Sequence, residues 1–189
     1  MNVSEKITTS ITVGNMLCEC CTRLLTLLLE KEGVEVIKAN RGEVKISYDS
    51  KKISIEAVES IIEKNGFTVI KEKEEQLFVR LKAAVIELVH YTTYNAMVRN
   101  SDFLVEKFNK SYQYLSALFS KYEGETLEKF IIRQKIERVK ILLSEGDLTL
   151  SEIAYMMGYS SVQYLSTQFK NITGVTVTRF KKEPGKYLK

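Results

Sequence analysis

The chain has 189 residues, 44% of them hydrophobic, with 28 Lys+Arg against 24 Asp+Glu, one proline and nine glycines. That is enough apolar material for two small cores and leaves no low-complexity tract, which excludes a disordered chain. No signal-peptide pattern or transmembrane run is read, and all three cysteines lie within four residues, too close to staple distant segments, so a protein of the reduced cytoplasm without a membrane partner is expected.

The first third alternates between strand and helix patterns. Ile7, Thr9, Ile11 and Val13 alternate as a strand, and Cys21 to Glu32 carries Leu24, Leu25 and Leu28 at helical spacing. Val34 to Ala39 and Val44 to Tyr48 read as two strands separated by a turn at Asn40, Arg41 and Gly42. Ser54 to Asn65 follows with Ile55, Val58, Ile61 and Ile62 on one helical face, stopped by Gly66, and Phe67 to Ile70 is a last strand. The order βαββαβ predicts a ferredoxin-like antiparallel sheet with two helices on one face.

Cys18, Cys20 and Cys21 fall between the first strand and the first helix. Cys18 and Cys21 form a C-x-x-C at the start of a helix. There the N-terminal dipole favours the thiolate that both metal binding and redox chemistry need. The run Met16-Leu17-Cys18-Glu19-Cys20-Cys21, with Glu32-Gly33-Val34, Tyr48-Asp49 and Asn65-Gly66-Phe67 behind it, resembles the heavy-metal-associated domain of copper chaperones and metal-transport ATPases over roughly residues 6–71. The resemblance implies that Cys18 and Cys21 bind a soft ion, usually Cu(I), and that Met16 packs beneath the loop. Asn15 is an extra residue relative to that family, and Cys20 is a third candidate thiolate, which also admits Zn(II) or another thiophilic metal.

The text KEKEEQ at 71–76 reads as a solvated linker or the start of a helix, placing the domain boundary between residues 1–72 and 73–189. Leu77 to Tyr91 is amphipathic, and His90, the single histidine, reads as a packing residue on it. Beyond it the sequence repeats itself at an interval of fifty. Ser111, Gln113, Tyr114, Leu115, Ser116, Phe119, Gly124, Thr126 and Phe130 fall on Ser161, Gln163, Tyr164, Leu165, Ser166, Phe169, Gly174, Thr176 and Phe180. Two copies are too few for a solenoid, and each reads as a helix-turn-helix.

In the second copy Thr149 and Glu152 form a capping-box pattern, Ile153, Ala154, Met156 and Met157 supply a buried stripe, and Gly158 ends the helix. The next helix buries Leu165 and Phe169 and leaves Gln163, Ser166, Thr167 and Lys170 on its other side. In the first copy Gln113, Ser116 and Ala117 hold the corresponding places. Small polar side chains near a helix N-terminus suit the reading of base edges in a major groove. Charge is placed to match: residues 1–72 hold 10 Lys+Arg against 11 Asp+Glu, and residues 73–189 hold 18 against 13. Arg179, Lys181 and Lys182 join Lys170 as candidate phosphate contacts in a tail that also carries Lys186 and Lys189.

The segments YLSALFSKYEGETLEKFI and LTLSEIAYMMGYSSVQYLSTQFKNITGVT resemble the DNA-binding domain of the AraC/XylS family of bacterial transcription regulators over roughly the last 115 residues. The resemblance implies two helix-turn-helix units joined by one long helix, here Leu127 to Leu143, and double-stranded promoter DNA as partner. Val177 replaces the family's usual proline, Lys135 and Val139 replace its usual Arg and Ala, and neither recognition surface carries an Arg.

The whole is an α+β chain: a ferredoxin-like domain followed by an all-α double helix-turn-helix. The expected function is a soft-metal-responsive, most simply copper(I)-responsive, transcription regulator, not an enzyme. A second copy of the chain or a metal chaperone is a further candidate partner. Two alternatives stand beside it: a regulator whose first domain only dimerises or senses thiol oxidation, and a thiol oxidoreductase using the C-x-x-C. Against the oxidoreductase stand the DNA-binding half and the sole proline, Pro184, far from the cysteines.

Overall fold

A computed structural model describes residues 6–16, 18–92 and 99–186; Leu17 of the cysteine motif and Lys189 of the basic tail lie outside the described residues. The chain divides into two compact units that meet between Ala84 and Val85.

The first unit has the order β1 (Lys6–Gly14), α1 (Glu19–Lys31), β2 (Glu35–Asn40), β3 (Glu43–Asp49), α2 (Ile55–Lys64) and β4 (Thr68–Ile70). Its sheet is antiparallel in the order β2-β3-β1-β4. The period-two pattern fixes which face is covered: Ile11 and Val13 of β1 join Val44, Ile46 and Tyr48 of β3 in one core with Leu25 and Leu29 of α1 and Val58 and Ile62 of α2. In β2 the pairing slips between Val36 and Lys38, leaving Ile37 as an extra, exposed residue on the edge strand.

Two sequence expectations shift. The first helix begins at Glu19, not at Cys21, because Cys18 acts as its N-cap and brings the following residues into the first turn. Of the two readings of 71–76, the structure takes the helix start. Helix α3 runs from Lys73 to Tyr91, and its start is anchored by the Gln76 amide, which donates to the Ile70 carbonyl at 2.9 Å. The division between units therefore falls inside α3, twelve residues beyond the expected 72/73 boundary.

The reason is close packing at Gly42. This turn residue is buried with φ +80°, and a Cβ built on it would stand 3.2 Å from Val79 Cγ1 and 3.4 Å from Ala83 Cβ. Any side chain there would push the helix off the β2–β3 turn.

The second unit is helical: the end of α3, then α4 (Asn100–Phe108), α5 (Tyr112–Glu123), α6 (Leu127–Glu145), α7 (Leu150–Met156), α8 (Val162–Thr173), α9 (Val177–Lys182) and a 3₁₀ turn at Pro184–Lys186. The repeat seen in sequence is repeated in geometry. Ser111 and Ser161 cap α5 and α8 by accepting from the Tyr114 and Tyr164 amides at 3.3 and 3.1 Å. Gly124 and Gly174 close those helices with φ +76° and +74°, and Thr126 and Thr176 cap the next helices, each at 3.2 Å.

The two hydrophobic cores also match. Phe119 packs on Phe130 with centroids 4.9 Å apart, and Phe169 on Phe180 at 5.4 Å. All four rings are fully buried. Burying one such side chain stabilises by about 1.5–3 kcal/mol, against at most ~1 kcal/mol for an exposed ion pair, so the duplicated aromatic pairs, rather than surface charges, hold this unit.

Candidate nucleic-acid interface and thiol site

In the second unit, α7 and α8 form the pattern that the capping signals predicted. The Thr149 amide donates to Glu152 Oε2 at 2.7 Å and the Glu152 amide to Thr149 Oγ1 at 3.3 Å, the reciprocal capping box. The Thr149 hydroxyl also donates to Glu152 Oε2 at 2.7 Å, and this bond, then that from the Thr149 amide, holds the Glu152 carboxyl below its ordinary range. Met157 closes α7, Gly158 takes φ +70°, and Ser161 opens α8. In the first copy the turn differs by one residue: Asn109 adopts the left-handed conformation, at φ +49°, and α4 carries no side-chain cap at Arg99.

Leu165 and Phe169 pin α8 from below and Leu115, Leu118 and Phe119 pin α5, leaving one side of each helix open. On α8, Gln163, Thr167 and Lys170 are exposed and Ser166 is half-buried. The Thr167 hydroxyl donates to the Gln163 carbonyl at 2.9 Å, so its methyl is the outward group in this rotamer. On α5, Gln113 and Ala117 are exposed and Ser116 is half-buried. Arg179, Lys181 and Lys182 are exposed on α9, which follows α8 directly. Tyr114 and Tyr164 are 41% and 49% exposed on the same two helices. Their pairing in the repeat was the signal that marks them. His90 Nε2 lies within 3.0 Å of Gln134 Oε1.

The thiol site sits where β1 passes into α1. The sulfurs of Cys18 and Cys21 are 2.9 Å apart, and the Cys21 amide donates to Cys18 Sγ at 3.2 Å. The hydrogen bond from the Cys21 thiol, then that from its amide, hold the Cys18 thiol below its ordinary pKa. Cys18 and Cys20 are exposed and Cys21 is half-buried. Met16 is buried beneath them and, with Asn15, lines a cavity of about 230 Å³ closed by Gly42, Phe78 and Val79. Asn15, the extra residue, takes up a left-handed φ of +62°.

Two thiols fit a soft ion in kind and need a small adjustment in spacing. At 2.9 Å the sulfurs must open before both can bind one ion, by about 1 Å for a tetrahedral ion with bonds of about 2.3 Å and by more for two sulfurs on opposite sides of Cu(I), which an exposed Cys18 permits. No group of three or more Cys, His, Asp or Glu gathers into a ligand set among the described residues, and Cys20 is not brought into one.

The fold of the second unit defines a duplicated helix-turn-helix domain. Residues 104–183 match the helix-turn-helix domain family, and the unit is a double helix-turn-helix of the AraC type. The chain is 28% identical over 98 residues to the Msm operon regulatory protein of Streptococcus mutans and 30% identical over 99 residues to the xylose operon regulatory protein of Escherichia coli, each alignment covering 52% of this chain. It is 34% identical over 70 residues, 37% of its length, to a putative AraC-like transcription regulator of Streptomyces lividans. The aligned parts make up 35%, 25% and 23% of those proteins, so the chain matches only part of the length of each. Among the described residues no helix is long and apolar enough to cross a membrane.

Proposed function

We propose that this chain is a soft-metal-responsive transcription regulator, with Cu(I) as the metal that the thiol pair suits best and double-stranded promoter DNA as the partner of the helical unit. The observation that carries it is the Cys18–Cys21 pair, capped on a helix N-terminus above a buried Met16, in the same chain as an AraC-type DNA-binding domain. Read with the heavy-metal-associated resemblance, the first unit is a ferredoxin-like metal domain. A bound Cu(I) ion would supply a soft acceptor that prefers two thiolates to harder donors. Cys18 and Cys21 would hold it, Met16 would keep the floor of the loop dry, and Cys20 would stay outside the pair.

On the DNA side, Gln113, Ser116 and Ala117 of α5 and Gln163, Ser166 and Thr167 of α8 are assigned to the base edges, and Lys170, Arg179, Lys181 and Lys182 to phosphates. Gln suits bidentate bonding to adenine, whereas the faces lack the Arg that would read guanine strongly. The two roles join only if metal binds the DNA-competent and incompetent forms with different affinity. Helix α3, which begins in the first unit and ends in the second, is the covalent connection through which such a difference would pass.

Fluorescence anisotropy on promoter DNA, anaerobically, with and without Cu(I), tests this reading. Metal should change DNA affinity, and DNA should change metal affinity by the same factor, a coupling of about 1–3 kcal/mol. Identical DNA affinity in the wild type and a Cys18→Ser, Cys21→Ser variant under saturating Cu(I) overturns it. The 2.9 Å approach of the two sulfurs favours a second reading, thiol oxidation: a disulfide, at about 2.05 Å, is a short movement away. A response to oxidant without metal identifies that case, and sedimentation of both forms separates either from a first unit that only dimerises.

A further inference from the structure

A second cavity, of about 390 Å³ and open to solvent on one side, lies in the helical unit, and its wall is drawn from both helix-turn-helix copies and from α6 between them. Tyr112 comes from α5, Glu128, Ile131 and Lys135 from α6, and Tyr159 and Tyr164 from the second copy. Two of these groups are left incompletely paired. The Lys135 ammonium has three N–H donors. One goes to the Met157 carbonyl at 2.8 Å, and among the described residues no carboxylate pairs with it. The Tyr159 hydroxyl is buried without a hydrogen-bond partner. Its ring centroid lies 5.8 Å from Lys135 Nζ, and both residues line the cavity.

Pairing is the usual fate of buried polar groups, and an unsatisfied one asks for an explanation. A carboxylate seated on the Lys135 ammonium would accept from the phenol as well once the Tyr159 ring turns to bring its buried hydroxyl into the cavity. Burial lowers the Lys135 pKa, and burial, then the neighbouring Tyr164, pushes the Tyr159 hydroxyl up to about 12, so the phenol keeps its proton as a donor at neutral pH. Ile131 and the ring of Tyr164 give the cavity an apolar middle. Glu128, two helical turns before Lys135 and about 10 Å from it along the axis, would repel a second negative charge at the far end. The volume lies near the lower end of the range for small-molecule sites.

We infer that this cavity is a binding site for a small organic monocarboxylate, held by Lys135 and Tyr159 with its apolar body between Ile131 and Tyr164. The site owes nothing to the cysteines, and it stands or falls independently of the metal reading. Because its walls come from both copies, an occupant would tie them together.

The test is a titration of the full chain, ¹⁵N-labelled, with benzoate, and with benzamide as an uncharged analogue of the same shape. Benzoate should give saturable shifts at Ile131, Lys135 and Gly158, and benzamide should bind at least tenfold more weakly. Lys135→Met should abolish binding. That change also removes the bond to the Met157 carbonyl and costs the fold some stability, so Tyr159→Phe is the second variant. It deletes only the unpartnered hydroxyl, should fold at least as well as the wild type, and should weaken benzoate several-fold. No saturable shift, equal affinity for benzamide, or unchanged binding in Tyr159→Phe overturns the proposal. So does a Lys135→Met variant that loses affinity for every duplex with a shallower salt dependence while benzoate shifts nothing, which would make Lys135 a phosphate contact.

Discussion

The amide of Cys21 donates to the sulfur of Cys18 at 3.2 Å, so the first cysteine of the motif caps the helix that carries the second. A cap is normally an oxygen, and a sulfur in that place gains more from the bond as a thiolate than as a thiol.

Cys18 should therefore be the first of the three cysteines to react with iodoacetamide as pH is raised. Its folded pKa is depressed, so the stabilisation from its thiolate is present above the unfolded value and is lost as pH falls through the folded value, below the ordinary thiol range. Mass spectrometry of peptides after timed alkylation between pH 6 and 9 measures the order, and Cys20 reacting first would contradict the capping geometry.

Cys18→Ser and Cys21→Ser should each abolish tight Cu(I) binding, because a pair of thiolates has no spare strong donor. Cys20→Ser should change affinity only modestly. Competition against a chromophoric Cu(I) chelator reads all three. An equal loss at each position would mean that Cys20 moves in as a third ligand.

Replacing Gln163 by Ala should relax base preference at one position of the operator by about 1–3 kcal/mol, whereas Lys170→Ala should weaken all sequences alike and lower the salt slope by about one. Binding measured on a set of single-base variants at several salt concentrations separates the two effects. Neither change having any effect would remove α8 from the groove.

Gly42→Ala should destabilise the first unit by about 1–2 kcal/mol from the left-handed backbone alone, with further loss from the 3.2 Å approach to Val79. Val79→Ala should recover part of it, since it removes the atom that a new Cβ meets. Thermal unfolding of the single and double variants measures the coupling, and additive losses would show that the helix had moved away at no cost.

Thr149→Ala should cost the second helix-turn-helix about 0.5–2 kcal/mol through its lost cap. The depressed carboxyl of Glu152 adds a pH signature: its stabilisation is complete above the unfolded carboxylate value and is lost as pH falls through the folded one. Denaturant unfolding between pH 3 and 7 should show that loss in the wild type and much less of it in the variant.

Much of this molecule is legible in the residues. Alternation in β1 and β3 and the 3.6-residue spacing in α1 and α2 place Ile11, Val13, Leu25 and Ile62 in one core. Leu24, expected inward, is 48% exposed and Leu29 takes the core position instead, because in a leucine-rich run several faces fit the helical period. The fifty-residue repeat likewise announces caps, glycines and aromatic pairs. What escaped is what depends on contacts across the chain. The charged text KEKEEQ reads as linker or helix start alike, and only the Gln76–Ile70 bond and the fit of Val79 and Ala83 over Gly42 make the following turns part of the first unit. Lys135 looks like an ordinary helix lysine until Met157 and Tyr159 are seen beside it. Cys18 as a cap needed the backbone direction of Cys21, which no composition rule supplies.

The duplicated caps have a last consequence for the DNA itself. Ser111 and Ser161, Gly124 and Gly174, and Thr126 and Thr176 make two like frames, yet the frames display different lettering: Ala117 stands where the other has Thr167, and Ser120 where it has Lys170. Palindromic operators mirror the two-fold symmetry of the proteins that read them, and the two unlike faces within one chain are not related by any such symmetry. A single molecule would thus match a sequence with a head and a tail. Turning that sequence around in front of a promoter would reverse which end of the protein faces the start site, so orientation as well as position would belong to the signal.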